Sequence, residues 1–360
     1  MRVRTVEITG AAPADLVGTV LCHTVARTAD GRGIAFRKGH IFRPEDLPAL
    51  AALGPRRLRV LELAPDDLHE DEAGRRLAQA IAGPGVTITG PSQSRFNLLA
   101  AHPGLLRVEV GLLERLNRLD GVAVFTLFDR QVVPAGELVA GAKVTPLAVP
   151  VATIRAVEAL CAAEGPVVSV RPFRPARVGV VVKEVIDDRQ RQRFEQVLTR
   201  KVQWFGATVG GIVYVADTPE AVAEALRAQR AAGAEILLTA GTNAADPDDA
   251  FFVALRHLGA ALLRHGAPAH PGSFFWLAYW QGVPIFGLPS CGLYAEGTLA
   301  DLLLPRVLAG EVITLADLAA LGHGGLLRPE MAFRFPPYGL TAEADAPHGE
   351  SPDALRAPGR

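Results

Sequence analysis

The chain has 360 residues, of which 49% are hydrophobic and 21% charged, and its formal net charge is −1. That length exceeds one ordinary core and predicts two or three domains, while the composition excludes a disordered chain and the charge gives no footing for nucleic acid or an anionic membrane. Three cysteines (Cys22, Cys161, Cys291) lie far apart with no CxxC pair, and "SFFWLAYW" is far shorter than the ~20 residues of a membrane span, so disulfide scaffolds, structural zinc and membrane insertion are disfavoured and a cytoplasmic location is expected.

Up to about residue 172 the texture is that of short β-like runs broken by Gly, Pro and Asp: "VGTVLCHTV", "LLRVEV", "VAVFTLF" and "ELVAGAKVTPLAVP". Two short helices interrupt them, "PEDLPALAALG" and "DEAGRRLAQAIAG". "RPFRPA" at 171–176 then suits an extended linker. From Ala176 the pattern becomes regular. "RVGVVV" is an unbroken β-branched run, and Phe194, Val197, Leu198, Val202 and Phe205 fall on one helical face. Strand "GIVYVA", helix "TPEAVAEALRAQRAAG" with Thr218 as N-cap and Pro219 in the first turn, strand "EILLTA" and helix "DPDDAFFVALRHLG" follow. "SFFWLAYWQGVPIFGLP" reads as two strands around Gln281-Gly282, and "TLADLLLPRVLAG" as a helix carrying Pro305.

Continuous apolar strands alternating with helices predict an α/β fold, a doubly wound, mostly parallel sheet covered on both faces, preceded by a β-rich α+β region. The predicted organisation is a small α+β region over 1–75, a β-rich domain over 76–172, the α/β domain over 173–330, and a tail over 331–360 that is mobile at its end.

In open α/β sheets ligands bind beyond the carboxyl ends of the strands, which singles out "TAGTNAADPDD" and "GLPSCGLYAEGT". Gly241 permits a tight turn, and Thr242 and Asn243 offer hydroxyl, amide and backbone donors suited to a phosphate or carboxylate. Pro289, Ser290, Cys291 and Gly292 form a second small-residue turn. The acids have two readings. Asp246 as N-cap, with Asp248 and Asp249 in the first turn, is ordinary helix-start chemistry; one acid could equally cap while another faces a ligand. Lys183 is one of only four lysines, and with Glu184 it follows "RVGVVV" at a strand's carboxyl end, as a solvated pair or a ligand contact. His265 and His270 flank "GAPA" without a third metal partner. No P-loop, no GxGxxG after the first strand and no GxSxG occurs.

The order of "RVGVVV", "TPEAVAEALRAQRAAGAEILLTAGTNAADPDDA", "HGAPAHPGSFFWLAYWQGVPIFGLPSCG" and "LLLPRVLAG" resembles the molybdopterin-binding domain of molybdopterin molybdotransferases, adenylyltransferases and gephyrin, over residues 174–310. The resemblance implies a tricyclic pterin ligand with a dithiolene and a terminal phosphate. It places Lys183, Glu184, Gly241, Thr242, Asn243, Gly272, Ser273, Pro289, Ser290, Cys291 and Gly292 as ligand contacts. Asp246 and Asp249 become the candidate catalytic acids and magnesium ligands, with ATP or an adenylylated intermediate as co-substrate. The family's double glycine is here Ala240-Gly241, its "GLPGN" is "GLPSC", and the lysines beside its "PG" are absent from "APAHPGSFF".

Three functions follow as expectations. The first is a molybdopterin-binding protein of molybdenum cofactor biosynthesis or insertion, with nucleotidyl- or molybdenum-transferase activity if catalytic. The second is a non-catalytic carrier that hands the cofactor to a molybdenum enzyme or another biosynthesis protein. The third, ranked lowest, is a nucleotide-processing enzyme of the competence-induced family. A homo-oligomer is expected by resemblance, and the aromatic "SFFWLAYW" reads as a buried strand or a subunit interface.

Overall fold

The computed structural model describes residues 1–27, 32–92, 94–183, 186–289 and 297–338. The chain divides into two compact units, one made of residues 1–176 with 301–317, the other of 177–300 with the chain from 318 onward.

In the first unit, strands Arg2–Ile8, Arg56–Glu62 and Val20–Leu21 form a three-stranded antiparallel sheet. It closes over a core that includes Ile8, Leu16, Phe42, Leu50 and Val60. A four-stranded antiparallel sheet (Val122–Thr126, Leu138–Val144, Arg95–Ala100, Val86–Ser92) and a three-stranded one pack with helices Glu70–Ile81 and Val151–Glu164 around a second core that includes Leu77, Leu98, Val139, Ile154 and Val168. The β-rich α+β character expected of this region is what the chain forms. Residues 301–317 are tied into this unit by charge. Arg306, 4% exposed at its side chain, donates to Glu311 at 2.8 Å and to Asp317 at 2.6 Å, and Arg107 and Arg130 reach the same two acids.

The second unit is the α/β layer structure. Its strands are β1 (Arg177–Val182), β2 (Thr208–Tyr214), β3 (Ile236–Ala240), β4 (Ala261–His265), β5 (Trp276–Trp280) and β6 (Val283–Leu288). They lie in the order β2-β1-β3-β6-β5-β4; the first four are mutually parallel, and β5 is antiparallel to both of its neighbours, β6 and β4. The interior strands are almost wholly buried and the edge strands β2 and β4 are not, which is why the former read as unbroken apolar runs. Helices α1 (Asp188–Trp204), α2 (Pro219–Ala231) and α3 (Ala250–Leu258) connect them. Asp187 and Gln190 form a reciprocal capping box on α1, Thr218 caps α2, and Gly259 ends α3 in the left-handed conformation. Helix α4 (Leu299–Leu308) contains Pro305, and from Asp301 onward its residues belong to the first unit.

Two expectations change. The helix read from Asp246 begins at Ala250, because Asp249, not Asp246, is its N-cap. "ALLRH", not read as a strand, forms the antiparallel edge β4, pairing Ala261 with Tyr279 and His265 with Trp276. "SFFWLAYW" is buried within its own chain: Phe275 to Ala278 are at most 1% exposed, whereas Phe274 stands 62% exposed before the strand. The tail packs as far as Tyr338, whose ring meets Trp204 at 6.0 Å and Phe205 at 5.9 Å; the remaining residues fall outside those described.

Across the β5–β6 hairpin, Trp276 pairs with Gly287, and a Cβ on that glycine would lie 2.0 Å from the indole. Gly287→Ala is therefore expected to lower stability by ~1–3 kcal/mol through overpacking. Urea unfolding measures it, and an unchanged midpoint would contradict the packing described.

Candidate functional site

The strand order places a topological switch between β1 and β3, because α1 leads from β1 to one side and α2 returns across it to the other. β1 ends at Val182, and the next residue, Lys183, donates its backbone N–H to Ala240 O at 3.1 Å, joining the two strand ends. Its side chain, 4% exposed, carries an ammonium donating to Asp249 Oδ2 at 2.7 Å and Asp217 Oδ1 at 2.7 Å. The aliphatic stem brings Nζ to 5.9 Å from the Phe251 ring.

Asp249 is buried as completely, its side chain 2% exposed. Its Oδ1 accepts from Phe251 N at 2.9 Å, the capping bond of α3, and its Oδ2 also accepts from Asn243 N at 2.8 Å. One carboxylate therefore starts a helix, anchors the loop after β3 and neutralises the lysine. Asp217 differs. It follows β2 and precedes the Thr218 cap of α2, and its side chain is 66% exposed.

Between them runs the loop Gly241–Asp248. Gly241 has φ +91°, a conformation that side chains strain against. Thr242 Oγ1 is buried with no hydrogen-bond partner among the described residues. A hydroxyl in that state is costly unless something completes it. Asp246 is exposed and accepts from Asp248 N at 2.9 Å, closing its own turn; Asp248 pairs with Arg256 at 3.2 Å. His265 Nε2 meets the carbonyl of Ala244 and bounds the same loop.

The structure thus brings together Lys183, Asn243 and Asp249 of the residues singled out above, with Gly241 and Thr242 in the intervening turn. Gly272 and Ser273 lie in the turn before β5, where Ser273 Oγ donates to Ala269 O at 2.8 Å, and no hydrogen bond among the described residues joins them to Lys183. Pro289 directly follows β6; Glu184, Ser290, Cys291 and Gly292 lie outside the described residues. Asp217 escaped the sequence reading. Its only local signal is a position just ahead of Thr218-Pro219, where a capping residue draws the eye first.

Residues 178–309 match a family described as "Probable molybdopterin binding domain". This stretch belongs to the molybdopterin-binding domain family. Residues 13–62 match a family described as a domain of unknown function. Among solved structures, the chain is similar to a molybdopterin biosynthesis MoeA protein from Pyrococcus horikosii, at 14% identity over 67% of this chain and 79% of that one, with a TM-score of 0.29. It is similar to molybdenum cofactor biosynthesis protein B at 16% identity over 42% and 96%, with a TM-score of 0.28. No curated protein matches significantly. Among the described residues no helix is long and apolar enough to cross a membrane.

In the molybdopterin-binding domain, burial alone would lower the pKa of Lys183. The hydrogen bonds and charges of Asp217 and Asp249 outweigh it and hold the ammonium above the ordinary lysine range. A folded value raised above the unfolded one gives stability that is complete below the unfolded pKa and lost as pH rises through the folded one. Wild type should therefore lose stability at alkaline pH along a limb that Lys183→Met lacks, as read from denaturation midpoints across that range. The two acids should also separate. Asp249→Ala removes a cap and strands a buried cation, for a loss of ~3–5 kcal/mol. Asp217→Ala, at an exposed partner, should cost ~0–1 kcal/mol by the same measurement, and equal losses would refute the division of roles.

Proposed function

We propose that this chain binds molybdopterin beyond the carboxyl ends of β1 and β3 and serves molybdenum cofactor biosynthesis or insertion as a carrier, passing the pterin to a molybdenum enzyme or another biosynthesis protein. Three features support binding there. The family match over residues 178–309 includes these strands and the loop, the loop turns on Gly241, and two donors are incompletely used. An ammonium has three N–H groups, of which Asp217 and Asp249 take two. The Thr242 hydroxyl lacks any partner among the described residues. Both suit the oxygens of a terminal phosphate or the polar edge of a pterin.

The observation that carries the carrier reading over the transferase is the state of Asp249. A general base or metal ligand needs lone pairs turned to the reacting group. Three of the roughly four lone-pair sites of Asp249 are turned to Phe251 N, Asn243 N and Lys183 Nζ. Asp246, the other candidate acid, lies exposed in its own turn.

The test incubates purified protein with molybdopterin, removes free pterin by ultrafiltration, and oxidises what is retained to its fluorescent derivative for quantification. Retention is expected, weakened at least ~10-fold in Thr242→Val, about 1.4 kcal/mol. Magnesium and ATP should yield no adenylylated pterin. No retention by wild type would sink the reading, and adenylylation that vanishes in Asp249→Ala would make the protein a transferase.

A further inference from the structure

The acids expected to hold magnesium do not fit a metal centre. A divalent ion of that kind demands carboxylate oxygens with free lone pairs at close, regular distances. Asp249 Oδ2 already accepts from both Lys183 Nζ at 2.7 Å and Asn243 N at 2.8 Å, and Oδ1 from Phe251 N at 2.9 Å. The other carboxylate beside it in the cluster is Asp217, which reaches the same ammonium at 2.7 Å.

We propose that Lys183 is the resident cation of this crevice: its ammonium stands between Asp217 and Asp249 in the position a divalent ion would take between two carboxylates, so that ligand binding here is independent of metal. The proposal goes beyond the pterin reading and stands without it, since it rests only on the contacts of the lysine with its two acids.

The chemistry of the exchange is simple. An ammonium satisfies two carboxylates and keeps a third N–H for an incoming anion, as a metal keeps an open coordination position. It cannot act as a strong Lewis acid or ionise a bound water, which metal ions do. It is fixed covalently at the end of β1, so no chelator removes it. Its two partners are also unequal. Asp249 is locked by backbone donors, whereas Asp217 is 66% exposed and holds the ammonium through one oxygen, so Asp217 is the arm that can yield to an anionic ligand.

Mn2+ serves as the probe, with the free ion followed by electron paramagnetic resonance during titration. Wild type is expected to take up no stoichiometric Mn2+. Lys183→Ala, which removes the ammonium and leaves both carboxylates, should bind one Mn2+ per chain at least about tenfold more tightly than wild type, and Lys183→Ala combined with Asp217→Asn should lose that gain. Circular dichroism establishes that each variant is folded. A folded Lys183→Ala that remains blind to Mn2+ would overturn the proposal. So would one Mn2+ bound per chain by wild type and lost in Asp249→Asn. Should Lys183→Ala not fold, Lys183→Met, which keeps the aliphatic stem, takes its place, and the wild-type titration decides on its own if neither folds. Because the probe is a metal ion alone, a failure here is distinct from a failure to retain pterin.

Discussion

An ammonium buried at the end of β1 is the constraint around which the α/β unit is arranged. Taking such a charge out of water costs several kcal/mol unless a partner meets it. Lys183 therefore obliges the chain to deliver a carboxylate, and the buried one of the two it receives is 66 residues away. Asp249 does more than neutralise. By accepting from Phe251 N it fixes where α3 begins, and by accepting from Asn243 N it folds the loop after β3 back on itself. The backbone of Lys183 is meanwhile bound to Ala240, so strand ends, loop and helix start are all referred to one side chain. Moving any one of them would leave a buried charge or a buried N–H without its partner.

This arrangement reshapes the electrostatics usual at such a crevice. Helix N-termini carry partial positive charge and commonly present it to an anion. Here Asp249 caps α3 and Asp217 sits one residue before the cap of α2, so acids stand at both positive ends. The lysine restores what those acids take away. In the proposed binding mode, recognition depends less on bulk potential than on directional donors: the remaining ammonium N–H, the Thr242 hydroxyl and the backbone of the Gly241 turn. A chain with a net charge of −1 has no long-range field to add, and the site does not require one.

Much of this layer structure was legible because its signals are local. Buried parallel strands show as apolar runs, and Thr218-Pro219 marks a helix start by chemistry that needs no distant partner. The misread features are those that distance decides. Asp246 and Asp249 are equivalent caps on paper, and Pro247 even favours the former; what selects Asp249 is a lysine that periodicity cannot place beside it. Asp246 closes its own turn instead, a common use of aspartate in loops. Lys183 looked like a solvated charge because lysine after a strand usually is one, and only the convergence of loops from β2 and β3 buries it. Strand β4 was missed for a different reason: as an exposed edge it shows no continuous apolar run. Asp217 is the extreme case. Its role exists only through Lys183, and nothing within ten residues of it announces that role.

The same economy bears on chemistry. A carboxylate that caps a helix, anchors a loop and neutralises a buried ammonium has three of its roughly four lone-pair sites committed to the fold. To act as a base it would have to give up at least one of those bonds during turnover, and each bond broken leaves a buried group unsatisfied. Catalytic acids are generally held by a supporting shell that leaves the reactive oxygen free. At Asp249 the supporting shell bonds both oxygens, Oδ2 twice and Oδ1 once. A residue so committed fits the carrier proposal, in which the site is a rigid cradle and not a reacting centre. Asp217, exposed and bonded to the ammonium through one oxygen, is the less tightly held of the two acids.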